Sequence, residues 1–253
     1  MRHLDIPGMT NLRDVGGLPT GPGRQIRTGL LMRSEAPLRL TPEALAQFTE
    51  LGLRTVVDLR GDEESQTDPT ELQALATVTP VPIPERINAN PLPVLEQILA
   101  RELAGFGIAD LKAIYLAMLD KHPHQFGTAV RALAAPDALP ALVHCKVGKD
   151  RTGLVIAMVL DVVGVPREHL LRDYEVSTER RAFRRVVLAP AFAAAGARIE
   201  DADGLFSAPR EALEHALHHL EDRHGSVRGF LTGAAGVPDV YLDQLTERLT
   251  EPC

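Results

Sequence analysis

Short apolar runs rich in β-branched residues alternate with longer segments of helical spacing along this chain. Arg54-Thr55-Val56-Val57-Asp58-Leu59-Arg60 is a buried strand that ends in charge, and Thr77 to Ile83 is a second. Leu30 to Ser34 closes a third, within a first forty residues punctuated by Gly16-Gly17, Gly21-Pro22-Gly23 and Gly29. Thr41 followed by Pro42 opens a helix that runs to about Leu51 and stops at Gly52. Residues 91–135 carry helical spacing, with breaks near Gly105 to Gly107 and at His122-Pro123. An apolar run through Leu139, Ala141, Leu142 and Val143 precedes a polar decapeptide, and a second run, Leu154 to Val163, follows it. This order predicts a buried strand, a tight loop and a buried helix, which Gly164-Val165-Pro166 then stops. The remainder reads as helices: Glu168 to about Leu188, Pro209 to Arg223, Val227 to Leu231 and Asp239 to Leu249, with breaks at Ala189-Pro190 and Gly204. Strands separated by helices predict an α/β fold, a central mostly parallel sheet flanked by helices. The expectation is one domain, 1–253, whose helical C-terminal part, 167–253, is a candidate lid.

Bulk properties narrow the partners. The 253 residues are 45% hydrophobic and 24% charged, as in an ordinary globular protein with a sizeable core. A net charge of -7 argues against a general nucleic-acid binder, while leaving room for a local basic pocket at Lys146, Lys149 and Arg151. No apolar stretch is long enough to span a bilayer, and the first residues lack a secretory core. A cytoplasmic location is the default expectation, with secretion by a signal-less route left open. Of the two cysteines, Cys253 is the last residue, so a structural disulfide with Cys145 is not expected.

The decapeptide itself is His144-Cys145-Lys146-Val147-Gly148-Lys149-Asp150-Arg151-Thr152-Gly153. A loop at a helix N-terminus gathers backbone N–H groups at the positive end of the helix dipole, a ready cradle for a phosphate-sized anion. A thiol at the base of that cradle favours its thiolate form and stands ready to attack phosphorus. Gly148 suits a close backbone approach or a positive φ. Arg151 can offer two parallel N–H bonds to phosphate oxygens, which a lysine would do poorly. The Gly148-Lys149 pair does not make a nucleotide-binding loop, because the Ser/Thr for Mg²⁺ and the upstream glycine are missing. His215, His218, His219 and His224 could suggest a metal, yet no further ligand accompanies them, and a solvated helix face is the preferred reading.

With Arg-Thr after the five intervening residues, the stretch resembles the signature loop of the cysteine-based protein tyrosine phosphatase superfamily. Its Gly-Lys-Asp-Arg-Thr-Gly ending is similar to a bacterial branch that acts on phosphotyrosine and, in some members, on phosphoinositides. Asn11-Leu12-Arg13-Asp14-Val15-Gly16-Gly17 also resembles the opening segment of that branch. The resemblance implies a phosphatase-type sheet and a metal-free, cofactor-free reaction through a phosphocysteine on Cys145. It implies a phosphate cradle over Lys146, Val147, Gly148, Lys149, Asp150, Arg151 and Thr152, able to take phosphate, sulfate or vanadate. His144 is expected to organise the loop, and Thr152 either to donate to the Cys145 sulfur or to cap the helix. Asn11, Arg13 and Asp14 are expected to anchor the N-terminal segment. The leaving group needs a carboxylic acid. The branch places one within the loop, hence Asp150 first, then Asp58, then Asp62; Asp58 has a strong alternative as a structural partner of Arg60 or Arg151. No tryptophan is present, so a Trp-Pro-Asp acid loop is absent. Lys146 and Lys149 are expected at the rim. Three outcomes stay open: a phosphotyrosyl-protein phosphatase, a phosphoinositide or dual-specificity phosphatase with the same mechanism, and a phosphate-binding module without turnover.

Overall fold

A computed structural model describes residues 2–85 and 92–253. Pro91, where the expected helical stretch begins, lies outside them. The strands are β1 (Arg2–His3), β2 (Arg13–Asp14), β3 (Arg24–Ile26), β4 (Leu31–Ser34), β5 (Thr55–Asp58), β6 (Thr77–Pro80), β7 (Ala141–His144) and β8 (Thr250–Pro252). Six form one sheet in the order β1-β2-β4-β7-β5-β6; β3 pairs with β8 apart from it. The four strands from β4 to β6 are parallel, and the β1-β2 edge is antiparallel. Every residue of β4, β5 and β7 is buried. This is why they read as continuous β-branched and apolar runs rather than alternating ones, since parallel strands are covered on both faces.

Helices supply that cover. Before the signature loop run α1 (Pro42–Glu50), α2 (Asp62–Thr67), α3 (Val94–Leu99), α4 (Ile108–Lys121) and α5 (Pro123–Ala134). After it come α6 (Asp150–Val162), α7 (Arg167–Arg181), α8 (Phe183–Ala194), α9 (Asp203–Phe206), α10 (Arg210–His224), α11 (Val227–Thr232) and α12 (Asp239–Leu249). Thr41 caps α1 as expected, its hydroxyl accepting from the Ala44 amide at 3.2 Å. One face of the sheet packs Met9, Leu12, Phe48, Val56 and Leu142 together. The opposite face carries the main core, in which Val57, Val143 and Leu154 join Leu217, Phe230 and Leu245. Helices α10 to α12 therefore share the core of the sheet, and the cover segment around α8 and α9 adds Phe192 and Phe206 to it.

Three expectations about that segment need correction. The single helix Glu168 to Leu188 is two helices that meet at Ala182. Pro190 lies inside α8 and does not break it. The carbonyl it leaves unpaired belongs to Val186, whose residue is 76% exposed, so solvent takes the place of the missing N–H. Gly204, expected as a break, sits within the short helix α9.

The register positions the site. Ser34 of β4 and Asp58 of β5 both stand opposite His144 of β7, so three polar residues share one row at the C-terminal edge of the parallel strands. Cys145 is the next residue, and this edge is where open α/β sheets bind ligands.

Candidate active site

Cys145 leaves β7 fully buried, and α6 begins at Asp150, so four residues make the turn between them. Gly148 has φ +68°, and a Cβ there would come within 2.3 Å of the Ser34 carbonyl oxygen. Both the conformation and the close approach demand glycine, as expected. The loop carbonyls are pulled outward. Asn11 Nδ2 donates to Gly148 O at 3.1 Å and to Val147 O at 3.4 Å, Arg33 Nη2 to Gly148 O at 2.9 Å, and the Ala36 amide to Lys146 O at 3.2 Å. In a planar trans peptide the N–H points opposite the carbonyl. The amides of Val147, Gly148 and Lys149 therefore turn inward, toward the space over Cys145.

A buried charge network holds those carbonyls. Asp173 of α7 accepts from Arg13 Nε at 2.8 Å and Arg33 Nη1 at 2.6 Å, and Arg13 Nη1 continues to Asn11 Oδ1 at 2.6 Å. Burial pushes the Asp173 carboxyl up, but Arg13 and Arg33 outweigh it and hold the group below the ordinary carboxylate range. Burial together with Arg33 brings the Arg13 guanidinium down to about 10. Asp14 secures the neighbouring turn through the amides of Gly16 and Gly29. Asn11, Arg13 and Asp14 are the polar anchors the sequence suggested, and Asn11 reaches the signature loop itself.

Arg151 lies at the first turn of α6, 3% exposed, and its fork is engaged by two glutamates that sequence reasoning missed. Glu64 of α2 accepts from Nη1 at 2.5 Å and Nη2 at 3.2 Å, and Glu85 stands 3.3 Å from Nη2. Burial opposes the charge on Arg151, yet Glu85, Cys145 and Glu64 together push its pKa up. Glu64 is fixed in turn by the Gly61 amide at 2.9 Å.

The other candidates separate. Asp58 is locked to Arg60, with contacts of 2.9 Å and 2.6 Å to Nε and Nη2 and one to the Arg60 amide at 3.1 Å. Although burial pushes it up, the Arg60 hydrogen bonds and His144 hold the Asp58 carboxyl below its usual range, which suits the structural role and not that of a proton donor. His144 is fully buried, 3.7 Å from Asp58, with burial keeping its pKa low. Asp62 is exposed on α2. Asp150 accepts from Tyr115 Oη at 2.7 Å and pairs with Lys149 at 3.2 Å.

Lys149 and Thr152 are corrections. Lys149 is 1% exposed rather than at the rim, and its ammonium donates to the carbonyls of Gly204 at 2.6 Å and Ser207 at 2.9 Å. It ties the cover segment to the signature loop, 55 residues away. Thr152 Oγ1 is buried with no hydrogen-bond partner, so the expected bond to the Cys145 sulfur is not formed, and the N-cap of α6 is Lys149. Lys146 is exposed as expected, and Val147 is half-buried. Cys145 and Cys253 are both free thiols. His219 pairs with Asp120 at 2.9 Å, and no metal-ligating cluster occurs among the described residues.

Above the loop opens a cavity of about 410 Å³. Its floor is Lys146, Val147, Asp150 and Arg151; its walls include Glu64, Glu85, Phe106, Leu188 and Phe206, with Arg181 and Arg184 on the cover side.

Sequence comparison agrees with this geometry. Residues 4–251 match the tyrosine phosphatase family, and the chain belongs to it. It is a cysteine-based tyrosine phosphatase. Its similar relatives include the triple specificity protein phosphatase PtpB of Mycobacterium tuberculosis, 30% identical over 92% of this chain and 94% of that protein. A putative tyrosine-protein phosphatase of Cupriavidus necator is 28% identical over 93% of this chain and 85% of its own. Among solved structures, TpbA of Pseudomonas aeruginosa overlaps 85% of this chain and 91% of its own at 19% identity and a TM-score of 0.36. Among the described residues no helix is long and apolar enough to cross a membrane.

Proposed function

We propose that the chain hydrolyses phosphotyrosyl proteins by a two-step, metal-independent reaction at Cys145. The observation that carries this reading is the bowl of inward amides over a buried cysteine, closed by the fork of Arg151. The substrate phosphate lies in the bowl and takes the place of Glu85 on Arg151 Nη2, while Glu64 keeps the guanidinium oriented from behind. Cys145 Sγ attacks phosphorus; the S–P bond forms as the ester P–O bond breaks, and the departing oxygen takes a proton. Water then attacks the phosphocysteine, the S–P bond breaks, and inorganic phosphate leaves with the thiolate restored. Lys146, exposed beside the bowl, attracts the incoming dianion.

Two carboxyl groups, Asp150 and Glu85, line the cavity over the loop. Asp150 accepts from Tyr115 and pairs with Lys149, so its oxygens are engaged and this reading places the donor elsewhere than its position in the motif suggested. Glu85 loses its partner when phosphate arrives. Burial and the facing Asp150 push its carboxyl up to about 7, against the pull of Arg151 and Lys149, while 24% of the side chain stays open to solvent for proton exchange. Glu85 thus supplies the proton to the leaving group and takes one from the attacking water. Hydrolysis of p-nitrophenyl phosphate and of phosphotyrosyl peptides, blocked by vanadate, tests the reading; a protein that binds vanadate yet releases no phosphate would make it a binding module.

Phosphoinositide hydrolysis is the second reading. The size of the cavity favours it, as do the buried Arg181 Nη1 and Arg184 Nε, which have no hydrogen-bond partner among the described residues.

A further inference from the structure

Phe183, Val186 and Val187 of α8 are 45%, 76% and 62% exposed, which is unusual for large apolar side chains among the described residues. Their spacing of three and four residues puts them on one helix face. Pro190 and Ala194, also exposed, continue that face. The underside of the helix is already engaged. Phe192 is buried against Phe206, with ring centroids 6.1 Å apart, and Leu188 lines the cavity over Cys145. The outer stripe is thus a surface in its own right, of the kind that marks an interaction site.

The charge around this stripe is of one sign. From Arg180 to Ile199 the chain has five arginines and no Asp or Glu, in a protein whose net charge is -7. Arg185 is paired with Asp203, and Arg198 has Glu200 at 4.0 Å and Asp201 at 3.7 Å. Arg180 and Arg184 form no ion pair among the described residues, and Glu179, the acid next to them in the chain, stands 3.5 Å from Arg172. Ala182, where α7 meets α8, has helical angles of φ -53° and ψ -36°, so Arg180 flanks the same turn as Phe183.

We infer that the outer face of α8 docks on the surface of an anionic lipid bilayer. Phe183, Val186 and Val187 settle among the headgroups, and Arg180 and Arg184 lie against their negative charge. A stripe this narrow is small for a stable protein complex, which buries about 800 Å² on each partner. It suits an interfacial helix, which needs a shallow apolar ridge flanked by cations and lies on the bilayer without crossing it. A second copy of this chain fits less well, because two faces of like charge would meet. The Val186 carbonyl that Pro190 leaves unpaired stays with the hydrated headgroups, which keeps the helix shallow. Since Leu188 lines the cavity from the other side of α8, docking holds that wall of the active site about one helix diameter, about 10 Å, from the lipid. The surface is separate from the signature loop and is independent of which phosphate ester that loop cleaves.

The test uses the full chain with phosphatidylcholine vesicles, with or without phosphatidylserine, a lipid that carries no phosphate monoester for the signature loop. Cosedimentation with the serine-containing vesicles is expected, weakening as salt is added. Val186→Gln with Val187→Gln should weaken that partition by about tenfold or more, while leaving the thermal melt and p-nitrophenyl phosphate hydrolysis unchanged. Arg180→Gln should weaken it on anionic vesicles only. The chain has no tryptophan, so Phe183→Trp supplies a single fluorescent reporter, whose emission should shift to the blue when anionic vesicles are added. Absence of cosedimentation, equal partition on neutral and anionic vesicles, an unshifted reporter, or partition that survives the double substitution overturns the inference. A dimer that the double substitution turns into a monomer, with no vesicle binding by either protein, assigns the face to a second copy and overturns it equally.

Discussion

Asn11 donates its side-chain amide to the carbonyl of Gly148 at 3.1 Å, linking the opening segment to the signature loop across 137 residues of chain. The same asparagine is held by Arg13, and Arg13 by Asp173, so the orientation of one loop peptide depends on an ion pair between residues 160 apart in the sequence. Asn11→Ala frees the Gly148 carbonyl and its following amide to rotate. Because this donor orients an amide of a preorganised site, a loss of about 10²–10³ in kcat is expected, with a fall in stability of about 1–3 kcal/mol from the unpaired Arg13 and Gly148 groups. Steady-state kinetics beside a thermal melt checks it; an unchanged kcat would mean that Arg33 alone holds the loop.

Asp173→Asn should act on stability. Removing one partner of a buried pair leaves Arg13 and Arg33 uncompensated, at a cost of about 3–5 kcal/mol. The pH dependence follows from the sign of the shift. The folded carboxyl lies below its unfolded value, so its stabilisation is complete above the unfolded pKa of about 3.9 and is lost as pH falls through the folded pKa. Urea unfolding followed from neutral to acid pH should show this loss in the parent protein and a flatter profile in the variant.

Gly148→Ala combines a left-handed φ with a Cβ driven into the backbone of Ser34 and Glu35. Backbone cannot yield as a flexible side chain would, so the loop must open. We expect loss of vanadate binding and of turnover together. Retention of tight vanadate binding would show that the bowl tolerates a different path.

Glu85→Gln probes the proton donor. A donor whose carboxyl titrates near 7 must be protonated to act, so turnover should fall as pH rises through that value. In the variant that limb should vanish. For alkyl or tyrosyl phosphates kcat should drop by about 10²–10⁴, whereas p-nitrophenyl phosphate, whose leaving group needs little help, should lose far less. A merely structural glutamate would affect both substrates alike. Asp150→Asn serves as the comparison, and loss of the high-pH limb there instead would return the role to Asp150.

The contiguous parts of the site could be read from the chain. The strand, loop and helix around Cys145 lie in one stretch, and their apolar runs, Gly148 and Arg151 announce both geometry and chemistry. The pairing of Asp58 with Arg60 was one of two readings because the residues are neighbours in sequence. What comes from distant segments was not legible. Glu64 is one of several acids after β5, Glu85 follows a proline-rich turn, and Asp173 sits in a highly charged helix. Nothing local distinguishes them from solvated residues. Lys149 reads as a rim residue for the same reason: its partners, Gly204 and Ser207, are brought to it only by the return of the cover segment. Pro190 looked like a break because composition does not show which face of α8 meets solvent.

The whole mechanism depends on a covalent bond between sulfur and phosphorus. Rapid acid quenching of the protein during turnover of a phosphotyrosyl peptide, followed by mass spectrometry of its fragments, looks for that bond. A phosphoryl group on the fragment containing Cys145, absent when Cys145→Ser is treated in the same way, is the expected result. Undiminished phosphate release by Cys145→Ser, with no phosphorylated fragment in either protein, would contradict the account.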